Sequence, residues 1–167
     1  YEQVYDENGK PIEGVFVDRN GDGAIDKNDL RVYKKPAADL LMGFNSKVTY
    51  KNWDFGFNGR ISLGNYVYNA AAANEADLNP NSIYANSVFL INRPKSAFTT
   101  NFQSKQALSD YYVQNASFLK IDNITVGYTF NKLWKENTTA RIYATVQNPI
   151  IITKYDGLDP EVFDGVD

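Results

Sequence analysis

Two neighbouring stretches of the chain alternate between hydrophobic and polar residues with a period of two, the spacing of a strand with one apolar face. In "NWDFGFNGRISLG", Trp53, Phe55, Phe57, Gly59, Ile61 and Leu63 fall on one side, and Asp54, Gly56, Asn58, Arg60, Ser62 and Gly64 on the other. Just before it, "LLMGFNSKVTYK" sets Leu40, Met42, Phe44, Val48 and Tyr50 against Gly43, Asn45, Lys47, Thr49 and Lys51. Only Lys51 and Asn52 remain between the runs, so residues 40–64 are predicted to form a tight hairpin.

A second hairpin is predicted over residues 117–148. "FLKIDNITVGYTF" places Ile124, Val126, Tyr128 and Phe130 opposite Asn123, Thr125, Gly127 and Thr129. "ARIYATVQN" places Ile142, Ala144 and Val146 opposite Arg141, Tyr143, Thr145 and Gln147. Pro149 has no backbone donor, so the strand is expected to leave its ladder there. The hairpins are separated by residues 65–116, which include the helix-like "QSKQALSDYYVQ". Connections of that length are usually functional.

Strand length separates two kinds of β protein. Residues 53–63 span roughly 33 Å at about 3.3 Å per residue. Tilted by roughly 40°, they cover about 25 Å, the height of the apolar band of an outer-membrane barrel. Sandwich strands are typically five or six residues long. The connections alternate in the same sense: long over 1–39, short at 51–52, long over 65–116, short over 131–139, long over 149–167. Tyr50, Trp53, Tyr128, Phe130 and Trp134 gather beside the short turns, as an aromatic girdle at one membrane interface would. The expected class is therefore all-β, an antiparallel transmembrane β-barrel, represented in part by about four strands with long extracellular loops. The competing reading is a secreted, calcium-stabilised carbohydrate-binding or adhesion β-sandwich.

Composition narrows the chemistry. Twelve Tyr and ten Phe in 167 residues favour strands. The absence of Cys and His removes disulfides, thiolate metal sites and the commonest general base. No frame for carboxylate-pair or Ser-Lys catalysis is visible, so no catalytic residue is assigned. A net charge of −3 gives no electrostatic case for nucleic acid. No run of eighteen apolar residues is present, which excludes a helical membrane span but not a barrel strand.

"DRNGDGAIDKND", residues 18–29, has calcium-loop spacing. Asp18, Asn20, Asp22, Asp26 and Asp29 stand at positions 1, 3, 5, 9 and 12, with Gly23 at position 6. The ligand set would be Asp18, Asn20, Asp22, the Ala24 carbonyl, Asp26 and Asp29, holding Ca2+ as a structural clip. A solvated Asp/Asn/Gly turn is the alternative.

Four motifs in order carry a family resemblance. "GVFVDRNGDGAIDKND", "YKNWDFGFNGRISLGNYVYN", "ASFLKIDNITVGYTF" and "ARIYATVQNPIIITKYDGLDPEV" resemble segments of the SusC/RagA-type TonB-dependent transporters of the Gram-negative outer membrane. Tyr66 departs from the family, which often has Asp there, and Pro149 stands where an apolar or aromatic residue is usual. The resemblance implies a barrel of about twenty-two strands with an amino-terminal plug and a SusD-like lipoprotein lid. It also implies import of oligosaccharides or peptides driven by TonB. The chain, which opens on "YEQVYDENGK", is then expected to be a carboxy-terminal fragment whose TonB contact lies in an absent amino-terminal part.

On that topology Asn45, Lys47, Asn58, Arg60, Thr125, Arg141, Tyr143 and Gln147 would line the lumen or meet the plug. Tyr66, Tyr68, Tyr84, Tyr111 and Tyr112 would contact substrate or lid, or pack within their own loop. Asp156, Asp159, Glu161, Asp164 and Asp167 read as an acidic solvated loop.

Overall fold

The computed structural model describes residues 1–84, 92–132 and 138–162; Trp134, Asp164 and Asp167 lie outside them. Its strands are β1 (Gln3–Tyr5), β2 (Pro11–Phe16), β3 (Leu40–Tyr50), β4 (Trp53–Leu63), β5 (Tyr66–Tyr68), β6 (Val113–Asn115), β7 (Phe118–Asn131) and β8 (Thr139–Thr153). The helices are short: α1 (Ala70–Glu75), α2 (Pro80–Ile83) and α3 (Lys95–Thr100). Among the described residues no helix is long and apolar enough to cross a membrane. The chain divides into two compact units, one comprising Ala38–Asn65 and Ala116–Lys154, the other Tyr1–Ala37, Tyr66–Asn115 and Tyr155–Asp167.

The first unit is a four-stranded antiparallel sheet in the order β3-β4-β7-β8. Register places the alternating residues in rows across all four strands. Tyr50, Trp53, Tyr128 and Ile142 share one row; Val48, Phe55, Val126 and Ala144 share the next row on that face. Met42, Ile61, Leu119 and Ile152 form a row near the other end of the strands. Within the described residues this apolar face is open: Trp53 is 54% and Ile142 67% exposed. The girdle residues cluster, with ring centroids 4.8 Å apart for Trp53–Tyr128 and 4.7 Å for Tyr128–Phe130. The β3–β4 turn is the two-residue one expected, with Lys51 at φ +53°.

Pro149 does not end its strand. β8 continues to Thr153, and pairing jumps from Asn123–Gln147 to Ile121–Ile150. Asp122, Asn148 and Pro149 occupy this bulge, with Asn148 at φ +48°. Within a bulge proline costs little, because its missing donor leaves no ladder bond unmade. The irregularity also keeps Ile121 and Ile124 on one face although they are three residues apart.

At the end where the long connections attach, Asn65 closes the sheet. Its Nδ2 donates to the Ala116 carbonyl (3.0 Å), its Oδ1 accepts from Ser62 Oγ (3.0 Å), and its own carbonyl accepts from Ala116 N (2.9 Å). Ser117 joins them, accepting from Gly64 N through its hydroxyl (2.9 Å) and from Thr153 Oγ1 through its carbonyl (2.9 Å).

The second unit has a small apolar centre of Ala72, Ala73, Ala76, Ala97 and Tyr112, against which Tyr68, Leu78 and Tyr111 pack. Asn69 caps α1 by accepting from Ala72 N (2.9 Å). β5 and β6 pair as a two-stranded ribbon, and β1 and β2 as another. The helix-like 103–114 is not a helix: Leu108 sits at φ +60°, a 3-10 turn covers Asp110–Tyr112, and β6 follows. Its polar side chains are taken by the β1–β2 ribbon instead. Gln106 Oε1 accepts from Gly14 N (2.7 Å), Ser109 Oγ donates to Gln3 Oε1 (2.8 Å), and Asp110 Oδ1 accepts from Gln3 N (2.9 Å).

Candidate functional site

The polar face of the sheet carries paired charges around a row of amides. Arg141 on β8 reaches Asp54 on β4 with Nε 2.9 Å from Oδ2, and its guanidinium lies 5.0 Å from the Tyr143 ring centre. The pair passes over Gly127 on the intervening β7, where a Cβ would collide with the Asp54 carboxylate and the Arg141 guanidinium. Thr125 and Thr145 hydroxyls bond at 2.8 Å, and Arg60 Nε lies 3.2 Å from Asp122. Between these, Asn45, Asn58, Asn123 and Gln147 stand in one row across four strands. Asn45, Lys47, Asn58, Asn123 and Arg141 border a concavity of about 510 Å3. Every member of the expected polar set is therefore on this face. The arrangement offers neutral donors and acceptors and few free charges, a surface suited to a hydrated polar neighbour.

The 18–29 loop closes on itself. Asp18 accepts from Gly21 N (2.7 Å) and Gly23 N (2.8 Å), and Asp22 accepts from Ala24 N (2.8 Å). Asn20 Oδ1 accepts from Asp22 N (3.1 Å), and Asp26 from Asn28 N (2.7 Å). Asp29 is fully buried, its two oxygens accepting from Arg19 N (2.8 Å) and Asp26 N (2.9 Å). These amides, that of Asp26 foremost, hold the Asp29 carboxyl below its ordinary range. Among the described residues no three acidic side chains converge as a metal cluster would.

The five loop tyrosines separate. Tyr112 is only 2% exposed, and burial, with Tyr111 and Tyr68 beside it, pushes its phenol up to about 12. Tyr111 packs edge-on against Tyr112 at 5.1 Å, and Tyr68 Oη accepts from Leu108 N (3.0 Å). Tyr112 belongs to the unit's core, and Tyr68 and Tyr111 pack against that core while remaining half-buried. Tyr84 is 58% exposed, and Tyr66 lies under the Lys34 ammonium at 5.0 Å. In the tail, Asp159 accepts from Glu161 N (2.9 Å) and Asp156 N donates to Gln114 Oε1 (3.2 Å).

Sequence patterning missed the ionic seam of this unit. Arg31 Nη2 lies 2.7 Å from Asp110 and its Nη1 3.1 Å from Glu2, while Glu13 Oε1 accepts from Gln103 N (2.9 Å) and Ser104 N (2.6 Å). Apart from the Arg31–Glu2 pair, the partners are 79 to 91 residues apart, and no local period marks them.

No family model matches the chain. Among curated proteins it is 52% identical, over its whole length, to TonB-dependent receptor SusC of Bacteroides thetaiotaomicron, and covers 17% of that protein. It is 29% identical over 88% of its length to TonB-dependent receptor P3 of Formosa agariphila, covering 15% of it. The chain thus spans about a sixth of the length of these relatives. Among solved structures, the RagAB peptide importer in its closed-closed state matches 98% of the chain and 18% of its own, with TM-score 0.65 and 17% identity. A second structure of the RagAB peptide transporter matches 82% of the chain and 16% of its own, with TM-score 0.63 and 20% identity. The four-stranded two-faced sheet is accordingly a piece of a β-barrel wall, and along its whole length the chain is similar to a segment of the SusC/RagA-type TonB-dependent receptors.

Proposed function

We propose that the receptor containing these residues imports oligosaccharides or peptides across the bacterial outer membrane, with TonB supplying the energy through another part of the protein. This chain contributes a stretch of barrel wall and outer loops. The observation that carries the reading is the sheet with one open apolar face and one polar face, built from strands of 11 to 15 residues. Strands of that length cross the apolar layer when tilted. The apolar rows then meet lipid chains, and the Asn45–Gln147 row faces the water-filled interior. A SusD-like lipoprotein lid is the partner proposed for the loop unit, supported by exposed apolar side chains such as Tyr84 and Phe98. For residues 18–29 we propose a structural clip with calcium as its ion, supported by the ligand spacing and by the lone pairs each carboxylate oxygen keeps beyond its amide bond.

Fractionation of cells carrying the full-length receptor, followed by uptake of labelled oligosaccharide and peptide, tests the reading. The receptor should require detergent for release from the outer membrane, and uptake should disappear without TonB. Recovery as a freely soluble exported protein would overturn it.

A further inference from the structure

Within the loop unit, Tyr33, Lys34, Lys35, Pro36, Tyr66 and Tyr68 border a cleft of about 120 Å3. That is the room of roughly four water molecules, enough for one small chemical group and not for an extended chain. None of the bordering side chains is acidic, and the polar ones all carry donors: two ammonium groups and three phenols. Lys34 is the unusual member. Its backbone is at φ +57°, a region that non-glycine residues adopt at a cost and that recurs at ligand clamps. Its ammonium is 5.4 Å from the Tyr33 ring centre and 5.0 Å from that of Tyr66, so two aromatic rings bracket it. No carboxylate among the described residues pairs with it, whereas nearby Arg31 is paired to both Glu2 and Asp110.

A cation held on ring faces keeps its N–H groups for a further acceptor, and a cleft lined by donors selects an anion. We propose that this cleft binds a single carboxylate group of the transported molecule, with Lys34 as the charged anchor and Tyr33 and Tyr66 as its walls. The inference deepens the import reading and rests on it. The carboxylate has two sources, a uronic acid residue of a glycan or the carboxyl terminus of a peptide.

The test uses the purified full-length receptor and isothermal titration with four probes: a trigalacturonate, its fully methyl-esterified form, a neutral-side-chain hexapeptide and its carboxy-terminal amide. One acidic probe should bind at least tenfold more tightly than its neutral counterpart, and which pair shows the difference identifies the source. Lys34→Gln should abolish that difference and Lys34→Arg should keep most of it. Lys34→Gly, which accommodates the positive φ, should also abolish it, separating charge from backbone strain. Equal binding of acidic and neutral probes, no binding of either acidic probe, or a preference unchanged in Lys34→Gln overturns the proposal. TonB-dependent uptake of neutral cargo persisting alongside any of these results would leave the import reading standing, whereas loss of all uptake in the unaltered receptor would remove that reading as well.

Discussion

Arg141 grips Asp54 across an intervening strand, and the contact exists because residue 127 of that strand is glycine. Two hairpins distant in sequence are thereby tied at one register. Gly127→Val should push the pair apart and destabilise the sheet by about 1–3 kcal/mol, the range for inserting side-chain volume into a filled site. Asp54→Asn and Arg141→Gln should each have smaller effects, and in the Gly127→Val background they should add almost nothing. Heat-modifiability of the full-length receptor on gels reads this out; additive effects would refute the coupling.

Adjacent residues on opposite faces should respond differently to charge. Ile124→Arg places a cation on the apolar face, where the cost near the membrane midplane is about 2–4 kcal/mol. Thr125→Arg places it on the polar face, beside Thr145, and should be tolerated. Surface levels of folded receptor compare the two, and equal damage would contradict the assignment of faces.

Asn65→Ala should loosen the end of the sheet where the long connections attach. It removes the partner of Ser62 and of the Ala116 carbonyl in a buried setting, a loss of about 1–3 kcal/mol. Denaturant titration of the refolded receptor would register it as a lower midpoint with unchanged slope.

Asp29 makes the 18–29 loop acid-sensitive. Its folded carboxyl titrates below the ordinary value of 3.8 because amides stabilise the charged form. Its contribution is therefore complete above about pH 4 and is lost as pH falls through the lowered folded value. The Arg19 and Asp26 amides should then exchange faster with solvent, and Asp29→Asn should show fast exchange at every pH. Millimolar calcium should slow the exchange of the Gly21 and Gly23 amides; no change on adding or chelating calcium would leave the loop a self-capped turn without an ion.

Tyr112→Ala should unfold the loop unit locally, at a cost of about 3–5 kcal/mol by analogy with other buried aromatic rings, while Tyr84→Ala should be neutral. The raised phenol adds a second signature. Its stabilising contribution is whole below pH 10 and declines as pH rises towards about 12. Limited proteolysis between α1 and β6 against pH measures both.

The two hairpins and their facing residues were legible because a strand's period is written locally in the alternation of apolar and polar side chains. The bulge at Asp122 and Pro149 was not. A missing donor in the sequence says that a ladder bond fails, and only the pairing partner says whether the strand ends or slips past. The helical look of 103–114 failed similarly: its polar side chains bond the β1–β2 ribbon, and long-range bonds outweighed a weak local preference. The five loop tyrosines had the same local appearance, and packing alone assigned Tyr112 to the core and left Tyr84 outside.

By itself the sequence determined the strands and their two-sided chemistry, since alternation over eleven residues puts apolar and polar side chains on opposite faces; strand length and the family resemblance added the barrel wall. Only the tertiary structure decided which loop residues are core, which carboxylates face amides, and where Lys34 meets Tyr33 and Tyr66. Those outcomes depend on contacts between residues far apart in the chain, where periodicity carries no information.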